Sequence, residues 1–106
     1  MVSCMCVIQE GQTPDRRREA LATALDGYVQ ERLGASPSVS WVPVAEGNGF
    51  TAGKPSTSSV LVLTAEEPLT QQHRESVLRE LVALWTSETG CSVDEIVAVV
   101  ADPASH

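Results

Sequence analysis

Several groups in this chain of 106 residues have the chemistry to act on a small molecule. The starting amine comes first. Met1 heads the apolar run Met1–Gln9 (MVSCMCVIQ), so that amine is expected at the end of a core strand. An ordinary α-amine has a pKa of about 7.7–8.0, so part of it is neutral near pH 8 and can take a proton. Tyr28 offers a hydroxyl that can donate a hydrogen bond or act as an acid; the bland alternative packs its ring under a helix with the hydroxyl at the rim. Glu66-Glu67, just before Pro68, is either a carboxylate pair or a polar turn. His73 reads as a solvated residue in the first turn of a helix, and His106 as part of a disordered tail. Cys4 and Cys6 alternate along a strand and so share one face. Their spacing suits few zinc sites and Cys91 has no ligand partner nearby, so Cys4 and Cys6 read as small buried hydrophobes, with a thiol pair of redox or metal use as the alternative. No metal and no cofactor is expected.

The balance of charge narrows the partners. Fourteen acidic residues against seven basic ones give a net charge of −7. Nucleic acid or an anionic membrane surface would need a basic patch. The one basic cluster, Arg16-Arg17-Arg18, fans out around a helix axis and reads as a solvated face. No apolar run approaches the roughly 20 residues needed to span a bilayer. The first segment has no basic start and charge arrives by Glu10, unlike a secretory leader. A soluble protein of a reducing cytoplasm is expected.

The elements that must position these groups follow from periodicity. An apolar run on both faces of Met1–Gln9 suggests a strand buried on both sides. Thr13-Pro14 reads as a helix cap with proline in the first turn. Leu21, Ala24, Leu25, Tyr28 and Leu33 then recur at helical spacing until Gly34. Ser38–Ala45 returns as a strand, with Pro43 at an edge or a bulge because it cannot donate to a ladder. Glu46–Ser59 is a connection rich in Gly, Ser and Thr; its glycine spacing fits neither nucleotide-binding fingerprint and no helix follows directly. Val60–Thr64 is a second buried strand. Thr70 opens a second helix with Val77, Leu78, Leu81, Val82 and Trp85 on one face; Gly90 ends it, and Ile96–Val100 closes the pattern. Trp41 and Trp85 read as core or interface anchors.

The halves match, Thr13 with Thr70, Leu21 with Leu78, Leu25 with Val82 and Gly34 with Gly90. Each is strand–helix–strand with a helix long enough for a right-handed crossover. One α/β domain is therefore expected, with units 1–45 and 60–101 joined by linker 46–59. Its tandem β-α-β units form a four-stranded mixed sheet with both helices on one face. The bare face, being apolar, calls for other subunits.

Taken with Val2, Val7, Gln9, Glu10, Thr13-Pro14, the loop Gly47-Asn48-Gly49-Phe50-Thr51-Ala52-Gly53 and Asp102-Pro103, this architecture resembles the tautomerase superfamily. It is most similar to the cis-3-chloroacrylic acid dehalogenase-like branch. The resemblance implies a homotrimer with three pockets, each near an amino terminus. It also implies a small carbonyl compound or unsaturated acid as substrate, and Met1 and Tyr28 as catalytic positions, with Phe50 and Glu66 as substrate-binding ones. Departures are equally specific. Met1 stands where the family carries its catalytic amino-terminal proline, and Tyr28 where the branch has a histidine. The two arginines that clamp a substrate carboxylate fall near Glu66 and Leu69, a tyrosine of the last strand falls near Val99, and the carboxy-terminal acidic residue has no counterpart. Dehalogenation is not expected. Lys54 and Arg74 are the nearest substitute cations in sequence. Two readings stand beside the isomerase: a non-catalytic trimeric scaffold or binding subunit, and an unrelated ferredoxin-like dimeric regulatory domain.

Overall fold

Alternation of small and branched apolar residues makes Val2–Gln9 a strand, β1, with Val2, Cys4, Cys6 and Ile8 buried on one side. This is a computed structural model, and it describes residues 2–10 and 15–103, the side chain of Asp15 excepted. Met1, the Thr13-Pro14 cap and His106 lie outside the described residues. Helix α1 runs Asp15–Leu33, strand β2 Pro37–Val44, and a small hairpin follows as β3 (Phe50–Thr51) and β4 (Lys54–Pro55). Strand β5 (Ser59–Thr64), helix α2 (Gln71–Thr89), a short 3-10 turn (Val93–Glu95) and strand β6 (Ile96–Ala101) complete the order.

The main sheet has the order β2-β1-β5-β6. Strands β1 and β2 pair in parallel, as do β5 and β6, while β1 and β5 pair antiparallel. The two strand–helix–strand units thus lie side by side in one mixed sheet. A ferredoxin-like arrangement splits each unit with an inserted strand; here the two strands of each unit are direct neighbours, which excludes it. Pro43 sits on β2, an edge strand, where its missing donor costs no ladder bond.

Both helices cover the face carrying Cys4, Cys6, Leu61 and Leu63. Leu21, Leu25 and Val29 of α1 meet Val77, Leu81 and Trp85 of α2 in one core, all with 0–1% exposure. The helical repeat is therefore one residue shorter than the strand repeat. Leu21 corresponds to Val77 and Leu25 to Leu81, not to Leu78 and Val82, which are only half-buried. Val29 joins the core stripe, and Tyr28 moves to its flank. Trp85 is the largest side chain in this core, with its ring 6.5 Å from that of Trp41.

Thr70 caps α2, its hydroxyl accepting from the His73 N–H at 3.1 Å. Gly90 ends the helix at φ 74°, a left-handed conformation that favours glycine, and its N–H donates to the Thr86 carbonyl. Arg17 reaches across to donate to the carbonyl of Glu88, so part of the arginine triplet ties the start of α1 to the end of α2.

The opposite face of the sheet carries no helix. Register sets its side chains in rows across all four strands. One row is Val42, Val7, Val60 and Val97; the next is Ser40, Met5, Val62 and Val99. A third, Ser38, Ser3, Thr64 and Ala101, is polar on three strands and lies at the end where β1 starts. Met5, Val42, Val97 and Val99 are 39–52% exposed, so this chain alone leaves an apolar band in water.

Candidate functional site

The antiparallel ladder fixes what surrounds the beginning of β1. Ser3 pairs with Thr64, so the chain leaves β5 at the end where β1 begins. Ala65 stays buried, its N–H donating to the Ala101 carbonyl at 3.0 Å, and residues 66–69 then cross to the start of α2. Helix α1 runs back along the sheet and ends at the same place, because Val2 pairs with Pro37 just beyond its last turn. Between the two helix ends lies a cavity of about 400 Å³, lined by Arg32, Leu33, Glu66, Glu67, Leu69 and His73 along with Ala65 and Pro68. Glu66 is thus a lining residue. His73 is half-buried at the wall instead of fully solvated. The lining mixes apolar side chains (Leu33, Ala65, Pro68, Leu69) with charged ones (Arg32, Glu66, Glu67).

Tyr28 stands one turn before Arg32 on α1. Its hydroxyl donates to Oε1 of Glu80 on α2 at 3.0 Å. Arg32 donates its Nε to the same oxygen at 3.0 Å and forms an ion pair with it at 2.9 Å. Partial burial pushes the Tyr28 hydroxyl up to about 12; Arg32 pulls it down and Glu80 adds to the rise. Tyr28 therefore holds its proton across the ordinary pH range. Its hydroxyl serves a helix-to-helix bridge beside the cavity and is not among the lining groups.

Arg74, one of the substitute cations considered above, is committed elsewhere. Its guanidinium bonds Oδ1 of Asp102, the Leu69 carbonyl and the Gln71 side chain. Asp102 also accepts from the Leu69 N–H at 3.2 Å. These contacts pin the start of α2 to the chain after β6, and the Arg74 and Leu69 donors lower the Asp102 pKa from its ordinary 3.8. A carboxylate whose folded-state pKa is depressed stabilises the fold above its unfolded pKa and loses that contribution as pH falls through the folded value. Asp102→Asn is accordingly expected to unfold at lower denaturant than the parent at pH 7. That gap should close below about pH 4, the ordinary aspartate range, and urea midpoints at pH 7, 5 and 3 measure it.

Phe50 and Lys54 fall at the far end of the sheet. The hairpin β3–β4 turns at Ala52 and Gly53, both with positive φ (54° and 75°), the pair of left-handed residues a type I′ turn requires. It holds Phe50 with 65% of its surface exposed, beside a separate cavity of about 340 Å³ that includes Val7, Gln9, Val60 and Val97. The hairpin is seated closely: a Cβ on Gly49 would lie 3.1 Å from the Gln9 amide nitrogen, and that amide donates to the Ser58 carbonyl. Eight residues of β1 separate the two ends, roughly 23 Å at strand rise. One chain does not bring Phe50 and Glu66 together.

Arg32 and Glu80 carry no motif of their own. The signal available was the i, i+4 spacing of Tyr28 and Arg32, which places both on one helix face. Among the described residues no group of three or more His, Cys, Asp or Glu could hold a metal ion, and no helix is long and apolar enough to cross a membrane.

As a sequence the chain matches no protein-family description and no curated protein. As a structure it matches many solved chains. Native Ps01740 superposes with a TM-score of 0.88 at 23% identity, over 97% of this chain and 95% of that one. N1, a member of the cis-3-chloroacrylic acid dehalogenase family, gives 0.86 at 16% identity, covering 95% and 74%. A fused 4-OT in the form of a symmetric trimer gives 0.83 at 19% identity, covering 95% and 85%. At these identities the likeness is one of fold: the chain shares the architecture of these proteins.

Proposed function

We propose that this chain is a divergent keto–enol isomerase acting on a small carbonyl compound, with the amine of Met1 as the proton carrier. The observation that supports it is the cavity at the end of the sheet where β1 begins, walled by Leu33, Leu69, Glu66 and His73. Neutral amine takes a proton from the carbon next to the carbonyl, and the resulting ammonium returns it to the other site of the enolate. Tyr28 is the candidate hydrogen-bond donor to the enolate oxygen, on condition that its hydroxyl exchanges Glu80 for substrate. The rate should rise with pH through about 8 as the amine loses its proton.

A homotrimer completes the proposal. Sister copies would cover the apolar rows of the sheet, and a neighbour would supply the exposed Phe50 to a pocket this chain cannot furnish by itself. The test compares ketonisation of phenylenolpyruvate and of its methyl ester by the unmodified protein and by a sample acetylated at its amino terminus. Acetylation should remove about 10²-fold or more of the rate. Equal, background-level rates in both samples would overturn the isomerase.

A second reading is a non-catalytic trimeric scaffold. It is favoured by the engagement of both Tyr28 and Arg32 with Glu80, which leaves those side chains serving the fold. Native mass spectrometry on protein from its own cells separates the two: a partner chain in the oligomer supports the scaffold, a homotrimer that turns over substrate removes it.

A further inference from the structure

We propose that the cavity at the start of β1 selects an uncharged carbonyl compound and discriminates against the corresponding carboxylate. This rests on the reading above for where the ligand sits, and it concerns ligand charge instead of catalysis.

The cationic side chains decide it above about pH 8, where the starting amine is largely neutral. Arg32 is the one arginine or lysine lining this cavity among the described residues, and both its Nε and a terminal nitrogen already face Oε1 of Glu80. A ligand carboxylate would have to displace Glu80 or share its guanidinium with it. Displacement would also strip the Tyr28 hydroxyl of its acceptor, since the same oxygen serves both. Arg74 directly follows His73 on α2 but is bound to Asp102 and the Leu69 carbonyl. Arg79 lies by another groove with Leu78 and Val82, and Lys54 is on the hairpin at the far end.

Glu66 and Glu67 add the opposite sign to the wall. Carboxylate recognition depends on charge-assisted bonds from cations with capacity to spare, and like charges in a half-buried space repel. A keto or ester oxygen asks only for a neutral donor and for apolar surface around its body, which Leu33, Ala65, Pro68 and Leu69 offer. The net charge of −7 acts in the same direction on approach.

The experiment uses the full-length protein with phenylpyruvate and its methyl ester, the same body with and without the charge. Ligand-observed saturation-transfer NMR gives binding, and ultraviolet absorbance gives ketonisation. The ester is expected to bind at least tenfold more tightly than the acid in low salt above about pH 8.5, where the starting amine is neutral. The double variant Glu66→Gln, Glu67→Gln should narrow that gap by strengthening the acid, and added salt should narrow it too. Equal or tighter binding of the acid would overturn the inference and assign Arg32 to the carboxylate. Binding of neither probe would overturn both this inference and the location of the site. Ester-selective binding without turnover would remove the isomerase and leave the charge preference standing.

Discussion

Val62→Asp is expected to yield a folded chain that no longer associates. Val62 occupies the middle of the bare face, between Met5 on β1 and Val99 on β6, and no helix lies over it. In an isolated copy its side chain is partly in water, so an aspartate there costs the monomer little beyond lost β-propensity, about 1 kcal/mol. In an assembly that stacks these apolar rows the same aspartate would be enclosed without a partner. An uncompensated buried charge costs several kcal/mol, about 3–5 by analogy with broken buried pairs, or more than a hundredfold in the association constant at each interface. Sedimentation equilibrium should show the parent as a trimer and the variant near 11.3 kDa, with the helical circular-dichroism signal retained. A parent already at monomer mass, or a variant that still assembles, would show that sister copies do not cover this face.

Trp85→Ala is expected to have the largest effect on stability. Trp85 is 1% exposed, lies at the junction of α2 with the sheet, and is stacked at a 39° tilt on Trp41. Removing a large buried aromatic deletes its transfer free energy and leaves a cavity that this small core cannot collapse, about 3–5 kcal/mol in all. Domains of this size hold only about 5–15 kcal/mol, so the loss takes a large share of the folding free energy. Guanidinium denaturation followed by circular dichroism measures the change. Trp85→Phe, which keeps an aromatic body in the site, should recover more than half of it. A loss below about 1 kcal/mol in Trp85→Ala would mean that the core closes around the vacancy.

The fold was legible because its cues are local and repeated. The apolar run MVSCMCVIQ, the glycines after each helix and the matched halves are enough to imply two strand–helix–strand units, and Pro43 marks an edge or a bulge, here an edge strand. The repeat register was less so. Leu78 and Val82 are as apolar as Val77 and Leu81, and only packing against the sheet reveals which pair faces inward. The hairpin of Phe50–Thr51 and Lys54–Pro55 was hidden in a segment of Gly, Ser and Thr, since two-residue strands are too short to register as alternation.

Of the candidate site residues, only the placing of Glu66 was legible. Glu66 does line a cavity at the end of the sheet where β1 begins. What spacing could not convey is that Glu80, from the other unit, would occupy both Tyr28 and Arg32, because that bridge exists only once the helices are docked. Arg74 shows the same limit. In sequence it is a spare cation near the second helix start; in the structure Asp102, on the far side of α2 in the chain, has claimed it.

The cysteines give the molecule an internal clock. Cys4 and Cys6 have no exposed surface, and burial pushes their thiols up to about 11 and about 12, with the Cys4 charge adding to the latter. Only the thiolate is alkylated readily, so both are shielded twice over, by access and by proton affinity. Cys91, half-open beyond the end of α2, is within reach of solvent. Under iodoacetamide one modification should therefore appear promptly and the next two together, at the pace at which the sheet and its helices come apart.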